Sequence, residues 1–82
     1  MKETIIDVRT PGEFFGGHVE GSINIPLNEL PTRVEEIKNI SAPLILCCAS
    51  GARSTQAAMY LKSLGIACEN GGSWISLLNK GL

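Results

Sequence analysis

Leu44-Ile45-Leu46-Cys47-Cys48-Ala49-Ser50-Gly51-Ala52-Arg53 is an apolar run, a small-residue loop and the opening of a helix. The run Leu44 to Cys47 predicts a short buried strand. From about Arg53 to Leu64 the spacing predicts a helix with Ala57, Ala58, Leu61 and Leu64 facing inward and Gly65 as its C′ stop. A strand that ends in a cysteine and turns at once into a helix delivers that thiol to free backbone N–H groups. A helix N-terminus favours anions, so the thiol is drawn toward thiolate. Cys48 is therefore the candidate nucleophile, and Ala49, Ser50, Gly51, Ala52, Arg53 and Ser54 form a candidate anion-binding loop.

On the N-terminal side, Ile5-Ile6-Asp7-Val8 predicts a first strand. Thr10-Pro11-Gly12-Glu13 reads as a capping box with Pro11 at the first helical position. Gly16-Gly17 keeps that helix brief. Ser22-Ile23-Asn24-Ile25 predicts a second strand, closed by Pro26. Asn28 is a candidate cap for the next helix, in which Leu30, Val34 and Ile37 form one buried stripe. On the C-terminal side, Ile66-Ala67-Cys68 begins a fourth strand, and Gly71-Gly72 is expected to turn the chain. Ser73 then caps a last helix that buries Trp74 or Ile75, Leu77 and Leu78. Strands alternating with helices predict right-handed crossovers and a mainly parallel α/β sheet. In such sheets ligands bind beyond the carboxyl ends of the strands, where Cys48 lies.

The 82 residues predict one domain spanning 1–82. Formal net charge is −1, and no basic cluster or aromatic platform points to nucleic acid. No apolar stretch is long enough for a bilayer, and Met1-Lys2-Glu3-Thr4 lacks a leader's apolar core. Three cysteines, two of them adjacent, make a poor disulfide framework and point to a reducing, cytoplasmic setting. One His and one Asp are too few for a metal site, so no metal and no cofactor is expected.

The chain resembles single-domain rhodanese-like sulfurtransferases over nearly its whole length. The residues that carry the resemblance are Ile6-Asp7-Val8-Arg9, Glu13-Phe14, Gly17 through Pro26, Cys48 through Ser54, and Gly71-Gly72 with Trp74 nearby. The resemblance implies a three-layer domain with a mainly parallel central sheet of four to five strands flanked by helices. It also implies sulfur transfer. Cys48 takes a sulfane sulfur from a small anionic donor, thiosulfate or a persulfide, and holds it as a persulfide. Cyanide, a thiol or a partner protein then accepts it. Three features depart from the family pattern. Trp74 follows the glycine pair closely. Ala49 and Ala52 stand where thiosulfate-preferring members often carry basic or polar residues. The chain also begins at the first strand, so a short or absent N-terminal edge of the sheet is expected.

A persulfide bears its charge on the outer sulfur and needs donors around it. Backbone N–H groups from Ala49 to Ser54 form a candidate nest, Gly51 permits a positive φ, and Ser50 and Ser54 offer hydroxyls. Arg53 either meets the anionic donor or pairs with an acid and braces the loop. Position alone leaves both open. Counted from Cys47, the spacing to Arg53 is Cys-x5-Arg, as in tyrosine-phosphatase and arsenate-reductase loops; the competing reading makes Cys47 a core residue turned away from Cys48 by strand alternation. A sulfur-relay or protein-interaction module with little small-molecule turnover is the other alternative. Asp7, Arg9, Glu13 and His18 read as structural support, with an Arg9–Glu13 ion pair across the capped turn and a His18 bond to backbone. Cys68, Tyr60 and Trp74 read as packing residues, and Glu35-Glu36 as a solvated helix face. Monomer and homodimer are equally compatible with the sequence.

Overall fold

The computed structural model describes residues 3–40 and 43–81; Met1 and Lys2, read above for leader character, lie outside them. The elements are β1 (Thr4–Asp7), α1 (Pro11–Phe15), β2 (Ile23–Asn24), a 3-10 segment (Leu27–Arg33) running into α2 (Val34–Lys38), β3 (Leu44–Cys48), α3 (Ala52–Ser63), β4 (Cys68–Ser73) and α4 (Trp74–Asn79). The sheet has four strands in the order β2-β1-β3-β4, and every pairing is parallel. That is the lower end of the four to five strands expected. β1 and β3 are central and end at the same edge, so the loops after Asp7 and Cys48 emerge side by side.

Strand alternation divides the core into two layers. Ile6 and Val8 from the β1 segment, with Leu44, Leu46 and Cys48 of β3, face Leu30, Ile37, Ala57, Ala58 and Leu61 from the 3-10 segment, α2 and α3. Ile5 and Cys47 face the other way, against Val19, Leu77 and Trp74. Helices thus cover both faces. The apolar burial is much larger on the α2/α3 side.

Four local expectations need correction. Asn28 caps nothing: the segment after Pro26 is 3-10, with no side-chain cap, and α2 starts only at Val34. Pro31 lies within it and has no N–H to give an α-helical ladder. Arg33 ties the two pieces together by ion pairs to Glu29 and Glu36. Second, Leu64 lies just beyond α3 and is exposed. Third, Ile75 and Leu78 are exposed, and Leu77 is the buried residue of α4.

Fourth, Gly71-Gly72 does not turn the chain; it lies inside β4. Opposite β3 the register jumps, with Leu46 facing Asn70 and Cys47 facing Gly72, so Gly71 is an extra residue in a bulge. A Cβ on Gly71 would meet Ile45 Cγ2 at 2.6 Å and both Leu46 O and Leu77 Cδ1 at 3.1 Å. The glycine is there because β3 and α4 leave no room for a side chain.

Candidate functional site

The site begins at the carboxyl end of β3. Gly51, with φ 107° and ψ −16°, occupies the N-cap position of α3 and has no side chain with which to cap it. A capping oxygen would normally accept from N–H groups two or three residues on. The Cys48 sulfur does this instead. Ser54 N donates to Cys48 Sγ at 3.4 Å, and Gly51 N donates to it at 2.9 Å. The Ser54 hydroxyl lies 3.5 Å from the same sulfur. The nucleophile candidate is thus built into the start of a helix as its cap.

This placement sets the thiol's acidity. Burial opposes ionisation, but the Ser54 hydroxyl and the N–H groups of Ser54, Gly51 and Ser50 outweigh it. Cys48 therefore sits below the ordinary thiol range. The loop also packs closely on β4, where Gly72 Cα would lie 3.6 Å from a Cβ built on Gly51. Cys48 has no exposed surface in this conformation, whereas Ala49, Ser50 and Ala52 are exposed above it.

Arg53 is a brace. Its Nη1 donates to Glu13 Oε1 at 2.7 Å and its Nη2 to Oε2 at 3.0 Å, which straps α3 to α1. The two side chains are 35% and 37% exposed. Glu13 also accepts from Thr10 N at 2.9 Å, completing the expected capping box. The Arg53 guanidinium, followed by the Thr10 N–H, holds the Glu13 carboxyl down at about 2.

The expected Arg9–Glu13 pair is not formed. Arg9 is buried and bonds Asp7 through Nε at 2.9 Å and Nη2 at 2.8 Å. Nη2 also donates to Gly17 O at 2.6 Å, and the guanidinium lies 4.8 Å from the Trp74 ring centroid. Asp7 is fully buried two residues before Arg9, so it holds the guanidinium before the exposed Glu13 carboxylate can. This cluster fixes the loop after β1 beside the Cys48 loop. His18 bonds backbone as expected, with Nδ1 2.8 Å from Phe14 O, and its ring stacks on Phe14.

Cys47 has no comparable surroundings. It is fully buried on the opposite face, and burial, then the Asp7 charge, push its thiol up to about 12. Among the described residues no backbone N–H donates to its sulfur, so the geometry lends no support to the Cys-x5-Arg reading. Cys68 is buried at the start of β4, with its thiol 3.7 Å from Ala58 O. All three cysteines are unpaired, and no cluster of metal-ligating side chains occurs among the described residues.

One residue of the site escaped the sequence reading. Asn70 of β4 bonds Ser54, Thr55 and the Gly72 N–H. Period-two alternation from the buried Cys68 would have put Asn70 on the α3 face. The expectation that Gly71-Gly72 was a turn ended the strand too early for that. An apolar groove lined by Ile37, Ile40, Leu44 and Ile66 lies at the opposite end of β3, far from this chemistry.

The Rhodanese-like domain family matches residues 1–82. This chain belongs to that family. The Bacillus subtilis (strain 168) protein YqhL is 45% identical over 64 residues, which are 78% of this chain and 50% of that protein. The thiosulfate sulfurtransferase PspE of Escherichia coli (strain K12) is 36% identical over 69 residues, 82% of this chain and 66% of PspE. Among solved structures, a rhodanese with anions from E. coli superposes with a TM-score of 0.80 at 34% identity, covering 92% of this chain and 91% of that one. The chain spans about half the length of the curated relatives it matches. The rhodanese-like domain here has the four-strand parallel sheet flanked by helices. Among its described residues, no helix is long and apolar enough to cross a membrane.

Proposed function

We propose that this chain is a sulfurtransferase working as one domain through a persulfide on Cys48. The observation that carries this reading is the sulfur's place as the cap of α3, where it accepts N–H groups from Gly51 and Ser54. The Cys48 thiolate attacks the outer sulfur of a donor such as thiosulfate. A new S–S bond forms, the old one breaks, and sulfite leaves with the bonding pair. In the second half-reaction cyanide, a thiol or a partner protein attacks the outer sulfur, and the Cys48 thiolate leaves. The two steps give ping-pong kinetics. The charged outer sulfur rests against loop N–H groups from Ala49 to Ser54. Because Cys48 is enclosed, the exposed turn at Ala49 and Ser50 yields enough to admit one sulfur atom. The three unpaired thiols fit a reducing compartment.

The Arg53–Glu13 pair favours a second reading of the donor. The guanidinium of the loop is already neutralised, and Ala49 and Ala52 add no charge. A small dianion must compete with Glu13 for Arg53, whereas a persulfide on a protein or small thiol brings less charge to the mouth. This supports a sulfur-relay role with slow turnover of thiosulfate.

Intact mass tests the main reading. Incubation with thiosulfate, or with a persulfide donor if thiosulfate is slow, adds about 32 mass units. Cyanide removes them, unlike a sulfinic acid of similar mass. The gain is absent in Cys48→Ser. A cyanide-reversible gain that persists in Cys48→Ser, or no gain from either donor, overturns it.

A further inference from the structure

Ser54 has one hydroxyl proton and three neighbours that want it. Its oxygen is 2.6 Å from Asn70 Oδ1, 3.1 Å from Gly51 O and 3.5 Å from Cys48 Sγ. The orientation of the Asn70 amide follows from its other partners. Gly72 N is a donor only, so the atom facing it at 3.0 Å is the amide oxygen. Thr55 Oγ1 gives its own proton to Gly51 O at 2.7 Å and so accepts from Asn70 Nδ2, also at 2.7 Å. Asn70 is thereby locked from both ends with its oxygen aimed at Ser54.

We propose that Asn70 is a positioning residue for Cys48, its side-chain oxygen competing with the sulfur for the single Ser54 hydroxyl proton. This rests on Cys48 being the reactive thiol. With Cys48 protonated, the S–H donates to Ser54 Oγ, and Ser54 donates to Asn70. When Cys48 loses its proton, the Ser54 O–H rotates to the sulfur and Asn70 Oδ1 keeps only the Gly72 N–H. Once the sulfur carries a persulfide, Sγ is a neutral bridging atom and the hydroxyl returns to Asn70. The hydroxyl proton follows the charge on the sulfur, and Asn70 sets how far it must be drawn away. Arg53 of α3, paired with Glu13, is the charged group nearest in charge effect to this sulfur, and Cys47 lies on the opposite face of β3. Asp7 of β1 is occupied by Arg9, and Glu69 of β4 is exposed.

The test is the pH dependence of Cys48 alkylation by iodoacetamide, read by peptide mass in the full chain. It needs no sulfur donor, so its failure is separable from failure of the sulfurtransferase reading. Asn70→Ala removes the competitor, and the alkylation midpoint moves down by about half a pH unit, a roughly threefold gain in thiolate below the midpoint. Asn70→Asp keeps the shape, strengthens the competing acceptor, and moves the midpoint up. In a Ser54→Ala background, Asn70→Ala has no effect. An unchanged or raised midpoint in Asn70→Ala, or the same shift with and without Ser54, overturns the proposal. Loss of packing alone would move Asn70→Ala and Asn70→Asp in the same direction.

Discussion

Cys47 and Cys48 are neighbours in sequence and opposites in chemistry. Both have 0% exposure. One side chain points to the larger core and meets the first turn of α3, where free N–H groups collect around its sulfur. The other points to the smaller core under α4 and meets apolar side chains and the buried Asp7. Burial raises both thiols; only Cys48 has donors that outweigh it. Burial therefore does not decide the acidity of a thiol here. What decides it is which face of a strand opens onto a helix start whose own N-cap residue has no side chain to cap it.

The sharpest way to break the contrast is to exchange the two thiols' fates. Cys48→Ser abolishes sulfur uptake and fast alkylation, while Cys47→Ser retains both within a few-fold, as intact mass and iodoacetamide rates will read. Equal loss in the two variants would mean that the faces are not chemically distinct.

The next effect belongs to the Cys47 side. Gly71→Ala forces a Cβ against Ile45 Cγ2 and the Leu46 carbonyl. Overpacking of this kind costs about 1–3 kcal/mol, measurable by urea unfolding. Unchanged stability would show that the bulge in β4 has room to relax.

Alkaline unfolding sharpens the comparison further. The Cys47 thiol, ordinarily at 9.0, is pushed up to about 12 in the folded chain. Its contribution to stability is full below pH 9, and is lost as pH rises from 9 toward 12, because the unfolded chain ionises first. Cys47→Ala loses less stability across that window than the wild type does. Parallel curves would refute the assignment of that slope to Cys47.

The smallest effect is at the brace. Glu13 is held at about 2 against an ordinary 4.5. The stability it gives is present above pH 4.5 and lost as pH falls toward 2, when the carboxylate is protonated. Glu13→Gln lacks this acid slope and differs little from wild type at neutral pH, since the pair is partly exposed and screened. The same variant frees Arg53, so its thiosulfate kcat/KM rises if the pair restrains small anionic donors. A fall would show that Arg53 serves by holding the loop.

The amino-acid sequence by itself determined the alternation of strands and helices, the capping box at Thr10–Glu13, the left-handed glycine at Gly51 and the thiol at the end of β3. Each follows from contacts within a few residues: strand periodicity, a cap three residues away, a φ that only glycine takes easily. The tertiary structure alone decided the partners. Arg53 meets Glu13 across 40 residues, Ser54 meets Asn70 across 16, and Arg9 takes Asp7 in place of Glu13. It also decided that Gly71-Gly72 continues a strand. The two long-range pairings depend on the order β2-β1-β3-β4, which brings the loops after β1 and β3 to one edge and seats β4 beside α3, whereas Arg9 takes Asp7 because the fold buries that carboxylate and leaves Glu13 exposed. A charge's neighbours along the chain do not reveal which strand end lies next to it.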